Sequence, residues 1–246
     1  MTELWRPPDA FDLPVGVVHV WRASLACPTA RRQRLEQFLA PDELARAERF
    51  YFARDRHEYV VGRGLLRWLN GRYHHLPPQA LQFTYSSYGK PSLAQNGDWQ
   101  FNVSHSHGKL LIGFCRGAAI GVDIEQIRQL DDADDLAARN FSAAEAAAYA
   151  QVPPKQRAEA FFNCWTRKEA YIKAIGEGLS CPLGDFDVSL RPGEPARLLR
   201  IRGKEETAVP WTMHSLTPFP GYRGAVLAAG QGWQISCWDG DLLEDF

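Results

Sequence analysis

Ile120-Gly121-Val122-Asp123-Ile124-Glu125 alternates apolar and acidic side chains. Alternation with a period of two is the mark of a strand, so Val122 and Ile124 point one way and Asp123 and Glu125 the other. Two carboxylates on one face of a strand lie ~7 Å apart. At that spacing they repel unless solvent or a cation stands between them, and oxygen ligands of this kind suit a hard divalent ion shared with phosphates. The other reading is an edge strand with a wet face, which the triplet alone leaves open.

Downstream, Pro153-Pro154 opens a helix that runs to about Ile175 and stops at Gly176. Ala158, Phe161, Phe162, Trp165 and Ile172 keep the 3, 4, 7 spacing of a buried stripe. Glu169 falls on that stripe, with Lys173 one turn further on. Such an i, i+4 pair is either surface decoration, worth a few tenths of a kcal/mol, or functional. A carboxylate on the apolar side favours the second reading, with Glu169 completing a three-carboxylate site beside Asp123 and Glu125.

Upstream lies Phe101-Asn102-Val103-Ser104-His105-Ser106-His107-Gly108. His105 and His107 share a face if the strand continues, but no third ligand or cysteine pair makes them a zinc site. The hydroxyl and imidazole groups here serve equally to hold phosphate oxygens. No G-x-S-x-G elbow surrounds Ser104, so it is not read as a hydrolase nucleophile. Gly62-Arg63-Gly64 lacks the last glycine of a dinucleotide fingerprint, and Gly89-Lys90-Pro91 lacks the rest of a P-loop. Any phosphate site must be built from side chains and a metal.

Further out, Gly16–Ala23 reads as a strand, and Arg31–Leu39 and the segment opened by Pro41-Asp42-Glu43 as helices. From Arg46 to Arg72, seven arginines stand against three acids among regularly spaced apolar residues, which predicts an amphipathic helix with a basic side. That side is either solvated or a docking surface for a polyphosphate. Strands are expected at Leu81–Tyr85, Phe101–Ser104, Leu110–Cys115 and Ala119–Glu125, and again at Phe186–Leu190, Trp211–Leu216, Ala225–Ala229 and Trp233–Trp238. Strands and helices mix in both parts of the chain, so the class is α+β or α/β.

The 246 residues carry 28 Lys+Arg against 29 Asp+Glu, a balance that lacks the global basic field of a nucleic-acid binder. Five scattered cysteines with no C-x-x-C fit a reducing compartment. No apolar run approaches the ~20 residues that span a bilayer, and Met1–Pro8 has no signal-peptide core. A cytoplasmic protein that binds neither membrane nor nucleic acid is expected.

Gly121-Val122-Asp123-Ile124-Glu125, followed about forty residues later by Trp165-Thr166-Arg167-Lys168-Glu169-Ala170-Tyr171-Ile172-Lys173-Ala174, resembles the paired signature of the Sfp-type 4'-phosphopantetheinyl transferases. Tyr88-Gly89-Lys90-Pro91, Asn102-Val103-Ser104-His105-Ser106 and Gly176-Glu177-Gly178-Leu179 also match in order, so the resemblance spans roughly Pro41 to Leu190. It implies an α+β chain of two similar halves, 1–116 and 117–246, related by a pseudo-twofold axis with the active site between them, although no internal duplication shows in the residues. It further implies a monomer that transfers the phosphopantetheine arm of coenzyme A to a serine of an acyl- or peptidyl-carrier protein, releasing 3',5'-ADP. The metal, Mg²⁺ or Mn²⁺, is implied on Asp123, Glu125 and Glu169. Lys173 would meet the phosphates, and Glu169 would also be the base. Arg54, Lys90, Ser104 and His105 are the implied coenzyme A contacts; Glu43 and Arg46 stand where some relatives carry lysines near the 3'-phosphate. A non-catalytic coenzyme A or nucleotide-binding module and a metal-dependent pyrophosphate hydrolase are the alternatives.

Overall fold

The computed structural model describes residues 5–6, 11–94, 97–201 and 210–243, and along them one order of elements occurs twice. The first run is β1 (Val17–Ser24), α1 (Thr29–Glu36), α2 (Pro41–Ala47), α3 (Ala53–His74), the short strands β2 (Phe83–Tyr85) and β3 (Pro91–Leu93), then β4 (Trp99–Ser106) and β5 (Lys109–Arg116). The second is β6 (Ile120–Gln126), α4 (Ala133–Asn140), α5 (Ala143–Ala150), α6 (Pro154–Ile175), the short strands β7 (Phe186–Val188) and β8 (Leu198–Ile201), then β9 (Trp211–Leu216) and β10 (Tyr222–Ala229). In each run the long strands form an antiparallel sheet in which the first strand pairs with the last and the last with the middle one: β1-β5-β4 and β6-β10-β9. The long helices α3 and α6 are both 22 residues. The chain is α+β, built of two halves. A final strand, β11 (Gln234–Asp239), returns to the first half and pairs parallel with β1.

Strand alternation sorts the apolar side chains into three cores. Trp21, Ile112 and Phe114 meet Leu65 and Leu69 of α3 on the outer face of the first sheet. Val18, Val20 and Leu111 on its inner face meet Ile120, Val122, Ile124 and Val226 of the second sheet. Ala225 and Leu227 on the far face of that sheet meet α6. The layers therefore run helix, sheet, sheet, helix, and each fully buried Val, Leu or Ile contributes about 1.5–3 kcal/mol. Asp123 shares the α6 face with its cross-strand partner Ala225.

The helix expected from Arg46 to Arg72 is interrupted. α2 ends at Ala47, α3 begins at Ala53, and Phe52 is extended between them (φ −94°, ψ 132°). The consecutive aromatics Phe50-Tyr51-Phe52 lose rotamer freedom in a helix, which is why the pattern breaks there. Its basic side is not simply a solvated face either: Arg63 and Arg67 turn inward and pair with the buried Glu43. β4 continues past Ser104 to Ser106, after which His107 and Gly108, both with positive φ, make a two-residue turn into β5.

Candidate functional site

β6 and α6 approach as closely as backbones can. A Cβ on Gly121 would lie 1.9 Å from the carbonyl oxygen of Ala170, so only glycine fits at this point. The contact puts Asp123 and Glu125 opposite the turn of α6 that carries Glu169 and Lys173. Lys173 Nζ donates to Asp123 Oδ1 at 2.6 Å and to Ser104 Oγ at 2.9 Å. Asp123 is 3% exposed although β6 is the edge of its sheet, which disposes of the wet-face reading.

The first half reaches this site through alternate residues of β4. Asn102 Oδ1 accepts from the backbone N–H of Val122, Ser104 Oγ donates to Asp123 Oδ1 at 2.8 Å, and Ser106 Oγ donates to Glu125 Oε2 at 2.6 Å. Three polar side chains two residues apart thus tie β4 to β6 across the join between the sheets.

Burial raises the pKa of Glu169, and the neighbouring charges of Asp123 and Glu125 raise it further while Lys173 opposes them. Burial likewise raises that of Glu125, the Ser106 hydrogen bond opposing it and Asp123 adding to it. The clustering of carboxylates thus adds to burial in raising the proton affinity of Glu125 and Glu169. Asp123 Oδ2 is buried and has no hydrogen-bond partner. An oxygen-only donor set with one orphaned carboxylate oxygen fits a hard divalent cation. Among the described residues no three His, Cys, Asp or Glu side chains already stand at ligand spacing.

His105 projects from the opposite face of β4 to Ser104 and is exposed. It lines a cavity of about 460 Å³ together with Arg46, Phe50, Tyr59, Arg63 and Val103. Lys90 stands elsewhere. Its ammonium enters the second half and bonds to backbone carbonyls at the end of α6, and burial draws its pKa down to about 8. Arg54 is turned to solvent and pairs with Asp55 and Glu58. The structure thus gathers Asp123, Glu125, Glu169, Lys173 and Ser104, puts His105 on the adjoining cavity, and leaves Lys90 and Arg54 outside both.

Ser106 and Asn102 belong to the site yet were not singled out beside Ser104. The signal was present: both share its face at a spacing of two once the strand is extended to Ser106. Arg46 and Arg63 reach the cavity from α2 and α3, which no local pattern connects.

A family model described as the 4'-phosphopantetheinyl transferase superfamily matches residues 119–229, and one described as 4'-phosphopantetheinyl transferase, N-terminal, matches residues 27–113. The chain is 38% identical over 239 residues to the 4'-phosphopantetheinyl transferase HetI of Nostoc sp., covering 95% of this chain and 97% of that one. It is 31% identical over 198 residues to the 4'-phosphopantetheinyl transferase Sfp of Bacillus subtilis, covering 80% and 85%. Over 191 residues it is 35% identical to the 4'-phosphopantetheinyl transferase psf-1 of Bacillus pumilus, covering 77% and 80%.

Proposed function

The chain belongs to the 4'-phosphopantetheinyl transferase superfamily, and on that footing we propose that it moves the phosphopantetheine arm of coenzyme A onto a serine hydroxyl of an acyl- or peptidyl-carrier protein, leaving 3',5'-ADP. The observation that carries the proposal is the junction of Asp123, Lys173 and Ser104, made by both halves and leaving Asp123 Oδ2 without a partner. Asp123, Glu125 and Glu169 are the residues to hold Mg²⁺, or Mn²⁺ in its place. Bound there, the ion would offset charge on the pyrophosphate.

Glu169 is the base. Its pKa is raised by burial and by two neighbouring carboxylates, which brings it nearer the operating pH and makes it a better acceptor for the serine proton. Lys173 holds the phosphate side, its ammonium already placed beside Asp123. As the serine oxygen bonds to phosphorus, the bond to the 3',5'-ADP oxygen breaks, and Lys173 offsets the charge that appears. β4 divides the substrate: Ser104 faces the acids, while His105 on the other face of the strand borders the cavity. That cavity is of a size for a nucleoside, and its Arg46 supplies charge for the 3'-phosphate, Arg63 beside it being paired with Glu43. The two halves, 1–116 and 117–246, meet at this site as a monomer of the cytoplasm.

The test is transfer of a labelled pantetheine from coenzyme A to purified carrier protein, with and without Mg²⁺, and with the carrier serine replaced by alanine. Label on the wild-type carrier alone supports the reading. 3',5'-ADP formed without carrier labelling indicates a pyrophosphate hydrolase, and coenzyme A bound without turnover a binding module. Either result defeats it.

A further inference from the structure

We propose that Lys90 is a positioning residue for α6: its ammonium, supplied by the first half, caps the C-terminal end of that helix in the second and keeps Lys173 and Glu169 in place against β6. The inference rests on the transferase reading for the reaction it serves, and on backbone geometry for the rest.

The last carbonyls of a helix have no partner within it. At the end of α6, Gly176 takes a left-handed conformation and its N–H returns to the Ile172 carbonyl. The next two carbonyls, of Lys173 and Ala174, receive Lys90 Nζ at 2.7 and 3.1 Å. The third contact, at 3.2 Å, is the carbonyl of Ile120, the first residue of β6. An ammonium carries three N–H donors. Here three carbonyls take them, and none is left for a phosphate oxygen. A cation at a helix C-terminus is also favoured by the helix dipole.

The loop that delivers Lys90 is closed on itself. Ser86 Oγ accepts from the N–H groups of Tyr88 and Lys90, the Ser86 N–H donates to the Lys90 carbonyl, and the Gly89 N–H to the Ser86 carbonyl. Its Tyr88 packs against Gly178 so closely that a Cβ there would touch the tyrosine at 3.5 Å. Lys173 is consequently held at both ends, by Lys90 at its carbonyl and by Asp123 and Ser104 at its ammonium. Glu169 sits one turn earlier on the same helix face. One side chain thus joins the N-terminal half, the carboxylate strand and the catalytic helix.

Lys90→Met keeps the stem and removes the donors. At saturating coenzyme A its turnover should fall about tenfold or more, the scale of lost charge-assisted hydrogen bonds. Its coenzyme A affinity by calorimetry should change less than about threefold on the same reasoning. Hydrogen exchange at the end of α6 should quicken, a readout that needs no turnover and so stands even if the transferase reading fails. Lys90→Arg, which keeps charge and donors, should recover part of the rate. Affinity lost at least tenfold with normal turnover at saturation would make Lys90 a phosphate contact and overturn the proposal, as would two unaffected constants. Should Lys90→Met fail to fold, acylation of the wild-type protein by an N-hydroxysuccinimide ester decides. A half-buried Lys90 whose donors are all taken should react far more slowly than exposed Lys155, with or without coenzyme A. Rapid labelling that coenzyme A blocks would reject the clamp.

Discussion

Glu145 on α5 occupies the station that Glu43 occupies on α2. Each is the third residue of its helix and accepts from the backbone N–H three residues earlier, Ala40 to Glu43 at 2.9 Å and Ser142 to Glu145 at 2.8 Å. Each is neutralised by a buried cation on the 22-residue helix of its own half, Arg67 at 2.5 Å and Lys168 at 2.7 Å. Each cation then clamps the turn that follows its helix: Arg67 donates to the carbonyls of Pro78 and Leu81, Lys168 to those of Leu183 and Phe186. Arg67 and Lys168, one a guanidinium and the other an ammonium, thus do one job in two copies.

Removing one partner of such a pair leaves a buried charge alone, which typically costs ~3–5 kcal/mol. Lys168→Met should therefore lower the melting temperature by roughly 10 °C, although Lys168 adjoins Glu169 in sequence. Adding Glu145→Gln to it should recover part of the loss. A single variant that melts with the wild type would show that the pair contributes nothing.

Asp123→Asn should retain the fold but lose metal affinity and lower transfer ~10²-fold or more. Its amide cannot carry the charge that Lys173 and the cation require. Calorimetric titration with Mn²⁺ alongside the carrier assay checks both, and wild-type turnover in a folded variant would remove Asp123 from the mechanism.

Glu169→Gln should lower kcat by ~10²–10⁴ with little change in coenzyme A affinity, because glutamine keeps an oxygen but takes no proton at neutral pH. Lys173→Ala should weaken both binding and turnover, since its ammonium meets the phosphates before and during transfer. Single-turnover transfer at saturating coenzyme A separates these patterns. Rates near wild type in both variants would remove the pair from the mechanism.

Gly121→Ala tests the approach of α6 to β6. Its methyl would collide with the Ala170 carbonyl at 1.9 Å, a clash that only separation of helix and strand relieves. Overpacking costs ~1–3 kcal/mol where neighbours yield, and more where backbone must move. Thermal melts should show a marked loss, and any folded fraction should transfer poorly because Glu169 and Lys173 travel with the helix. A stable, fully active variant would contradict the contact.

His19 gives the first half an acid-sensitive core. Trp21 Nε1 donates to Tyr73 Oη, and that hydroxyl meets His19 Nδ1 at 2.7 Å. Burial pulls the His19 pKa from 6.5 to about 4, with Asp12 opposing. The unfolded chain then binds more protons between those values, so stability is complete above pH 6.5 and falls toward pH 4, by roughly 3 kcal/mol in all. His19→Gln should flatten that limb of the urea-unfolding profile. Identical acid limbs in both proteins would clear His19 of the role.

The parts of this site legible in sequence were those set by local period. Alternation put Asp123 and Val122 on opposite faces of β6, and the helical stripe ending at Gly176 gave α6 and the inward turn of Glu169. What the period does not carry is which element a side chain meets. Lys90 sits in a loop whose glycine and proline marked it as a turn, but its three acceptors lie 30 to 84 positions away. The repeat of the two halves is hidden for a similar reason. Equivalent stations preserve burial and charge sign, as Arg67 and Lys168 do, without preserving residue identity.

Pairing β11 with β1 also has a bearing on synthesis. Arg22 and Asp239, hydrogen-bonded across these strands, are 217 positions apart. A ribosome adding 5–20 residues per second takes roughly 10–40 s between them. Throughout that interval one border of the first sheet stands open on the nascent chain, with unpaired N–H and C=O groups of the kind that recruit foreign strands. The vulnerable period of this protein's life is thus its birth, and a chaperone that shields β1 until translation reaches β11 would protect it most.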